Sequence, residues 1–272
     1  MVIEFTKMSG AGNDFVVIDN RDRKINDAPA AARKLCDRHN GIGADGLLLL
    51  EESPAASYRM MYYNADGSYG GMCGNGGRCI SAFAVEAGIA TQKHDFIALE
   101  HVYRAEVAGD RVRLSMKDPK DMRKSVVLPM GKKRLTVFSV DTGSPHVVVQ
   151  AKKVSRKGLD AVDVVGLGSM IRYHRKFHPA GTNVNFVEIS GTSSLRIRTY
   201  ERGVEAETMA CGTGSIAAAV YGVSMEGLRL PVRVLPRSGQ ELLVDFDLGG
   251  EQIRKVLLSG PAVTVFRGVV ET

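Results

Sequence analysis

The chain has no tryptophan, and only 6% of its 272 residues are aromatic. Proteins that bind single-stranded nucleic acid stack the bases on aromatic side chains. The net charge of +6 is compatible with a basic binding surface, but the basic residues are scattered along the chain. We interpret the small clusters at 152–157 and 172–176 as solvated faces, so no nucleic-acid partner is expected.

Long apolar runs are also missing. No stretch approaches the roughly 20 apolar residues that a membrane-spanning helix needs, so no membrane contact is expected. The segment from Met1 to Met8 predicts a first β-strand and lacks the apolar core of a signal peptide. A soluble, cytoplasmic protein is therefore the expectation.

Cysteine is sparse, and its spacing argues against a metal site. Cys73 and Cys79 are close in sequence but lack a second close pair, which does not match a structural zinc site, so no metal is expected. In a reducing compartment a chain of this size needs no disulfides. Cys36 and Cys79 are predicted to be small buried hydrophobic residues.

Two segments, one in each half of the chain, carry the same pattern, at Met72 to Val85 and at Ala210 to Val223. In each, a cysteine and a glycine-rich turn lead directly into an alanine-rich helix. Cys73 and Cys211 are therefore predicted at helix starts, where the helix dipole lowers the pKa of a thiol. Two such thiols at one site would form an acid and a base.

Two further pairs of segments follow in the same order. Gly43–Leu50 resembles Gly181–Glu188 at the sequence offset that separates Cys73 from Cys211, and Gly12–Ile18 resembles Gly143–Val149 at a slightly smaller offset. Three collinear pairs indicate a duplicated domain with a short net insertion in the second copy. The period is too long for a solenoid repeat.

The predicted fold class is α/β (α+β), with two pseudo-symmetric domains that each wrap a curved, mainly antiparallel sheet around a central helix. The expected domains are 1–118 and 119–260, with a strand in 261–272 that returns to the first. The segment from Lys117 to Pro129 is predicted as the crossover. The four predicted helices are Pro29 to Arg38, Gly76 to Ala87, Val164 to Tyr173 and Thr213 to Met225.

The glycine turns and cysteines together would suit a reaction at a carboxylate-bearing substrate such as an amino acid. Helix starts offer free N–H groups that bind a carboxylate and stabilise the charge that develops when the α-proton leaves. A thiol on each face of that carbon would remove the proton from one side and return one from the other. The cleft between the two domains is the expected place for such a site.

Two other interpretations start from the same residues. One cysteine could be the nucleophile of acyl transfer with His146 as its base, or the glycine turns could bind phosphate. The turns match neither the P-loop nor the dinucleotide-binding glycine pattern, and acyl transfer needs only one cysteine. A non-catalytic amino-acid-binding module is a further alternative, but binding alone requires no thiol.

The motifs of the chain resemble those of the diaminopimelate epimerase family over essentially its full length. The segments that carry the resemblance are Met8–Phe15, Arg38–Asp45, Tyr63–Ser68, Met72–Cys79, Pro145–His146, Asn183–Phe186, Tyr200–Gly203 and Ala210–Gly214. The resemblance implies a cofactor-independent epimerisation of LL-2,6-diaminopimelate to the meso form, in lysine and peptidoglycan precursor synthesis. The alternative is a racemase or epimerase of another amino acid, of the proline or hydroxyproline type, on the same fold.

The resemblance also implies the roles of individual residues. The catalytic set is Cys73, Cys211, His146 and Glu201, and the substrate-binding set is Asn13, Asn64, Gly74, Asn75, Asn183, Glu201, Arg202, Gly212 and Thr213. A small-molecule substrate is the expected partner, no cofactor is expected, and a homodimer is an open expectation.

The chain departs from the family pattern at two positions. Gly46 stands where some members have glutamine, and Ser144 stands where many have asparagine. Both changes remove an amide, so substrate contacts at these two positions are in question. The loop between Glu201 and Cys211 is also one residue longer than in the shorter family form.

Overall fold

A computed structural model describes residues 2–131, 133–250 and 252–271 of the chain. They form two compact units, which we call unit 1 (the described residues of Met1–Ser115 and Ser259–Thr272) and unit 2 (those of Met116–Leu258). Both units are rich in strands and contain few helices, which confirms the predicted mixed α/β fold class. None of the described helices is both long and apolar enough to cross a membrane.

Unit 1 is a sheet built around one central helix. Its elements are β1 (Val2–Gly10), β2 (Asn13–Asp19), α1 (Ala28–Leu35), β3 (Gly46–Glu51), β4 (Arg59–Asn64), α2 (Gly74–Glu86), β5 (Lys93–Ala98), β6 (His101–Ala108) and β7 (Arg111–Ser115). Antiparallel pairs join β1 to β2, β3 to β4, β5 to β6 and β6 to β7, whereas β2 and β3 run parallel. Helix α1 begins at Asp27, whose carboxylate accepts a hydrogen bond from the Ala30 N–H.

Helix α2 is the central helix and packs on most strands of this sheet. It packs on β1, β2, β3, β4, β6 and β7, and all residues of its first two turns, from Gly74 to Ser81, are buried. Glycines allow this close approach, since a Cβ added at Gly77 would lie 2.9 Å from Met72 Cε and 3.0 Å from Leu114 Cδ1. The start of α2 is therefore fixed by packing on the surrounding strands.

Unit 2 contains the second copy of this arrangement. Its elements are β8 (Lys120–Met130), β9 (Lys133–Asp141), β10 (Pro145–Gln150), α3 (Val164–Arg172), β11 (Asn183–Gly191), β12 (Ser194–Glu201), β13 (Ala206–Thr208), α4 (Gly212–Glu226), β14 (Val232–Leu235) and β15 (Leu242–Gly249). Strands β10 and β11 run parallel, as β2 and β3 do in unit 1. Short 3₁₀ turns occur at Ala151–Lys153, Leu159–Ala161 and Arg175–Phe177.

Helix α4 is the central helix of unit 2. It packs on β9, β10, β11, β12, β14 and β15, and nearly every residue from Gly212 to Gly222 is buried. It ends at Gly227, which has the left-handed conformation (φ 69°) that glycine adopts without strain. A helix buried on all sides needs apolar residues all round, which explains its run of Ile, Ala and Val.

The last strands extend to the end of the described chain. Strand β16 spans Gln252–Pro261 and β17 spans Val263–Glu271. Strand β17 pairs antiparallel with β1, from Val2 opposite Glu271 to Ser9 opposite Val263, with one register shift.

Strands β8 and β6 are among the segments that differ from the sequence-based expectation. The predicted crossover from Lys117 to Pro129 contains the strand β8, which pairs with β9 through an irregular register. Most of β8 is exposed, so its charged residues lack the alternating apolar pattern by which strands are recognised. Strand β6 was not predicted either, although its alternate residues Tyr103, Ala105 and Val107 are buried.

Candidate active site

Cys73 is the residue from which α2 begins. Its backbone is extended (φ −116°, ψ 123°) and it occupies the N-cap position, directly before Gly74. The side chain is half-buried. The thiol therefore belongs to the residue at the N-terminal end of α2, where the positive end of the helix dipole favours negative charge.

A fully buried arginine lies one turn into the same helix. Arg78 donates hydrogen bonds to Gly74 O (3.2 Å), Asn75 Oδ1 (2.9 Å) and Pro261 O (3.2 Å). No carboxylate of the described residues forms a salt bridge with it. Burial lowers the pKa of Arg78 to about 10, and the nearby Cys79 and Cys73 oppose this shift. Arg78 therefore remains a cation at neutral pH, close to the first predicted catalytic cysteine.

Two of the predicted binding residues, Asn75 and Asn13, are joined to Arg78 in a chain of hydrogen bonds. Asn75 Nδ2 donates to Asn13 Oδ1 at 2.5 Å, and Asn13 Nδ2 donates to Asp45 Oδ2 at 3.1 Å. Arginine can only donate and an ionised carboxylate can only accept. The charges at the two ends therefore fix the orientation of both amides.

Asp45 belongs to a charged cluster next to this chain. Its Oδ1 accepts from Arg38 Nη2 at 2.7 Å, and the same nitrogen contacts Asp14 Oδ1 at 2.9 Å. Lys7 forms a second ion pair with Asp14 at 2.7 Å. Although burial raises the pKa of Asp14, the hydrogen bonds from Arg38 and Lys7 prevail and lower it to about 2. Asp14 is thus ionised, and the cluster holds the segments that carry Asn13 and Asp45 together.

Asn64 is oriented by its neighbours at the end of β4. Its Oδ1 accepts a 2.7 Å hydrogen bond from the Tyr62 hydroxyl, and its Nδ2 donates to Ser68 Oγ at 2.9 Å. The Tyr62 ring covers Gly46, where an added Cβ would lie 2.5 Å from Tyr62 Cε2 and 2.6 Å from Tyr63 O. Tyr62 therefore fills the space beside Gly46, the first of the two positions at which the chain departs from the family pattern.

We expect Gly46→Gln to lower the free energy of unfolding by about 2 kcal/mol, the usual cost of overpacking. The new Cβ would press on a packed ring and on a backbone carbonyl, neither of which can move freely. Urea unfolding measures the change. Gly249→Gln is the matched control, because a Cβ at Gly249 meets no atom within 4 Å. Equal stability of the two variants would contradict the expectation.

Cys211 holds the corresponding place in unit 2. It is the N-cap of α4, with an extended backbone (φ −126°, ψ 115°), and is only 8% exposed. Its Sγ accepts a hydrogen bond from the Gly214 N–H at 3.4 Å and lies 3.5 Å from Thr213 Oγ1. The glycine is required there, since a Cβ at Gly214 would lie 3.3 Å from Cys211 Sγ and 2.5 Å from Asn185 Oδ1.

His146 is completely buried at the centre of a polar cluster. Its Nε2 lies 3.0 Å from Ser144 Oγ and 2.9 Å from Thr213 Oγ1, and its Nδ1 lies 3.0 Å from Asn185 Nδ2. Burial, aided by the charge of Arg202, lowers the pKa of His146 to about 3. The imidazole is therefore neutral at physiological pH.

The remaining predicted residues of unit 2 lie beside this cluster. Asn183 Nδ2 donates to Ser144 Oγ (3.3 Å) and Pro145 O (3.0 Å), and its Oδ1 accepts from the Arg202 backbone N–H at 2.9 Å. Glu201 is half-buried and ends β12, directly before Arg202. The structure thus links Asn183 to both Ser144 and Arg202.

The polar clusters of the two units occupy equivalent sequence positions. When the paired segments of the two halves are aligned, Asn13, Asp45 and Asn75 in unit 1 correspond to Ser144, Asn183 and Thr213 in unit 2. In unit 1 Asn13 contacts both Asp45 and Asn75. In unit 2 Ser144 contacts both Asn183 and Thr213. The second departure from the family pattern, Ser144, is therefore a member of the cluster with a short hydroxyl in place of an amide.

The other two cysteines differ from the helix-start pair. Burial raises the pKa of both Cys36 and Cys79 to about 12, and both lie in the apolar interior of unit 1. All four cysteines are in the described part of the chain, and none forms a disulfide. At neutral pH the thiols of Cys36 and Cys79 are protonated and unreactive.

Sequence reasoning missed four residues that shape these clusters, namely Asp45, Tyr62, Arg78 and Asn185. Two of them left a signal in the sequence. Arg78 is the charged residue in the buried first two turns of α2, and Asn185 follows Asn183 at the two-residue spacing that places both on one face of a strand. No group of three or more His, Cys, Asp or Glu side chains among the described residues could hold a metal ion.

The fold of the chain, with one central helix in each of two strand-rich units, is similar to that of several solved proteins. A PhzF-family phenazine biosynthesis protein from Bacillus anthracis matches the whole chain with a TM-score of 0.73 at 14% identity. A probable proline racemase from Agrobacterium radiobacter K84 matches 99% of this chain and 92% of its own, with a TM-score of 0.72 at 16% identity. These likenesses place the chain in the fold class of the PhzF proteins and proline racemases.

The chain belongs to the diaminopimelate epimerase family. The family model matches residues 5–136 and 138–264. A diaminopimelate epimerase from Chlorobaculum tepidum is 47% identical, over 97% of this chain and 99% of the relative. Another, from Aquifex aeolicus, is 41% identical over 98% and 97% of the respective chains. The predicted resemblance is thereby confirmed.

Proposed function

We propose that this protein is a diaminopimelate epimerase, which converts LL-2,6-diaminopimelate to the meso form with two cysteines as acid and base and without a cofactor. Membership of the family, with full-length relatives of that name, supports the reaction and its place in lysine biosynthesis. The observation that carries the mechanism is the pair of N-cap cysteines, Cys73 and Cys211, each at the start of a buried helix.

The reacting carboxylate would bind to the helix starts. The turns Gly74-Asn75 and Gly212-Thr213 present the first backbone N–H groups of α2 and α4, which point out of the helix start. These donors and the helix dipoles stabilise the negative charge that spreads onto the carboxylate when the α-proton leaves. Arg78 adds a full positive charge at the start of α2.

The stereochemical inversion follows from the proton transfers. One cysteine, as thiolate, takes the α-proton, and the C–H electron pair stays on the substrate. The other cysteine, as thiol, donates its proton to the opposite face of the same carbon. Only one thiolate and one thiol are needed, and the reverse reaction exchanges their roles.

The distal amino-acid end would be bound by Asn13, Asn64, Asn183, Glu201 and Arg202. Arg202 suits a carboxylate because its planar fork can donate to both oxygens. Hydrogen bonds to Asp45, Tyr62 and Pro145 orient the three amides. Amides held in one orientation favour one arrangement of the substrate's ammonium and carboxylate groups.

His146 suits a role as a hydrogen-bond partner better than one as a base. An imidazole whose pKa is lowered to about 3 does not retain a proton taken from a thiol at neutral pH. This disfavours the acyl-transfer interpretation, which needs a basic histidine beside its cysteine. Glu201 remains a proposed member of the catalytic set.

A cytoplasmic location, a homodimer and the lack of a nucleic-acid partner stay predictions. Only a small-molecule substrate follows from the proposed epimerase activity.

Deuterium exchange tests the proposed function directly. We expect the protein in deuterated water to incorporate deuterium at the α-carbon of LL-diaminopimelate and to form the meso isomer, whereas proline and hydroxyproline remain unlabelled. Mass spectrometry and chiral chromatography measure label and product. Efficient exchange of proline with no exchange of diaminopimelate would replace this proposal by the alternative amino-acid racemase.

Arg202→Lys tests the distal contact. Lysine keeps the charge but loses the bidentate fork, so kcat/KM for diaminopimelate should fall about tenfold or more, equivalent to roughly 1.4 kcal/mol. Steady-state kinetics measure the change. Exposed Arg233, on strand β14, supplies the control variant Arg233→Lys. Unchanged kinetics of Arg202→Lys would remove Arg202 from the binding set.

A further inference from the structure

Asn185 lies in unit 2 on the same strand as Asn183 and is completely buried. Its Nδ2 contacts Val147 O at 3.0 Å and His146 Nδ1 at 3.0 Å, and its Oδ1 contacts Thr199 Oγ1 at 3.0 Å. A backbone carbonyl can only accept, so the atom that faces Val147 O must be the amide nitrogen. The orientation of the Asn185 amide is therefore fixed by the backbone.

This orientation determines the tautomer of His146. The same Asn185 nitrogen donates to His146 Nδ1, so Nδ1 must be the unprotonated nitrogen of the ring. The imidazole is neutral, because burial lowers its pKa and Arg202 is the charged group that acts on it. Its single proton is therefore on Nε2, which faces Thr213 Oγ1 and Ser144 Oγ.

The Nε2–H group in turn orients the Thr213 hydroxyl. Thr213 Oγ1 lies 2.9 Å from His146 Nε2 and accepts its proton. The Thr213 proton then points to another acceptor, either Cys211 Sγ or Ser144 Oγ, both at 3.5 Å. Ser144 Oγ already accepts from Asn183 Nδ2, so the sulfur is the better acceptor whenever it carries negative charge.

We propose that Asn185 is a positioning residue that holds His146 as the neutral Nε2–H tautomer, so that the chain Asn185–His146–Thr213 donates hydrogen bonds toward Cys211 and favours its thiolate. The Gly214 N–H supplies a second donor to the same sulfur. Hydrogen bonds to the charged form of a group stabilise that form. This proposal rests on the proposed function, in which Cys211 is one of the two bases.

The proton balance leaves His146 unchanged through the reaction. When Cys211 takes the α-proton, a C–H bond breaks and an S–H bond forms, and the electron pair stays on the substrate carbon. The Thr213 hydroxyl then rotates toward Ser144 or accepts from the new S–H group. His146 keeps its Nε2 proton before and after the transfer, so it acts as a fixed donor and never as the base.

The tautomer is measured first in the unaltered protein. With ¹⁵N-labelled histidine, NMR at neutral pH should show an unprotonated Nδ1 and a protonated Nε2 for His146, whose signals are assigned by their loss in His146→Gln. A protonated Nδ1, or an imidazolium ring, would overturn the proposal. The measurement needs no substrate, so failure of the proposed epimerase activity would be detected separately.

The effect on the sulfur is measured as the rate at which iodoacetamide alkylates Cys211 at a series of pH values. The protein carries Cys73→Ala, and mass spectrometry locates the modified residue. At pH values below the midpoint of Cys211 ionisation, we expect Asn185→Leu to lower the alkylation rate about tenfold. This is equivalent to an upward shift of that midpoint by about one pH unit. In this variant a protonated Nδ1 should also become detectable by NMR.

Thr199→Val is the matched control in the same buried cluster. It removes the donor to Asn185 Oδ1 but leaves both contacts of the Asn185 nitrogen, so it should keep the His146 tautomer and the Cys211 midpoint. An unchanged midpoint in Asn185→Leu would overturn the proposal. An equal shift in Thr199→Val would also overturn it, because the effect would then be one of general packing.

Discussion

Cys73→Ser and Cys211→Ser should each lower kcat for diaminopimelate by at least about a hundredfold, because a positioned acid or base contributes 10² to 10⁴ in rate. Serine keeps the size and the N-cap role of cysteine, but its hydroxyl is far less acidic than a thiol at neutral pH. Both variants should therefore fold normally. Steady-state assays together with circular dichroism measure the two effects.

Cys36→Ala is the control for these variants. Cys36 lies in the apolar core of unit 1 and follows the end of α1, so its loss should leave kcat unchanged. Near-normal turnover of either serine variant would refute the two-base mechanism. A loss of activity in Cys36→Ala equal to theirs would show that the assay reports stability and not chemistry.

Arg78→Met should lower the free energy of unfolding by about 3 kcal/mol. The substitution leaves three acceptors, Gly74 O, Asn75 Oδ1 and Pro261 O, without their charged donor. Each unpaired buried group costs about 1–3 kcal/mol, and relief of the desolvated charge offsets part of this sum. Urea unfolding gives the value, and the m-value shows whether the transition keeps its cooperativity.

The duplicated sequence provides a matched control for Arg78. Ile216 has the equivalent position in α4, since it follows Cys211 as Arg78 follows Cys73, and it is also fully buried. Ile216→Met keeps the side-chain volume and should cost less than about 1.5 kcal/mol. If Arg78→Met proved as stable as Ile216→Met, the three hydrogen bonds would contribute nothing to folding.

Local sequence signals predicted all four helices, although α1 ends at Leu35 and does not reach its predicted end at Arg38. Asp27 before α1 and Gly227 after α4 mark helix ends through their caps, and glycine-rich turns after Cys73 and Cys211 mark the two helix starts. Chain neighbours form these signals, so they can be identified without knowledge of the fold. Strand β8 lacked such a signal, because most of its residues are exposed and its pairing with β9 is irregular.

The site could be predicted only as far as its motifs extend. The sequence motifs predicted the two cysteines and most of the polar residues around them, but they could not show which side chains contact each other. Asn185 and His146 are 39 residues apart in sequence, and Asn13 and Asn75 are 62 apart. Contacts of that range depend on the parallel pairing of strands and on helix packing, so the tautomer of His146 and the orientation of the amides follow only from the structure.

The two equivalent polar clusters differ in how readily their hydrogen bonds can be reversed. In unit 1 the cation of Arg78 and the carboxylate of Asp45 fix the direction, so a reversal would require an amide to turn over and break its bonds. In unit 2 the hydroxyls of Ser144 and Thr213 can redirect their protons without any movement of a heavy atom. Although the two copies share one sequence pattern, the first is a permanently polarised framework, and the second can adapt its hydrogen bonds to the charge on its cysteine.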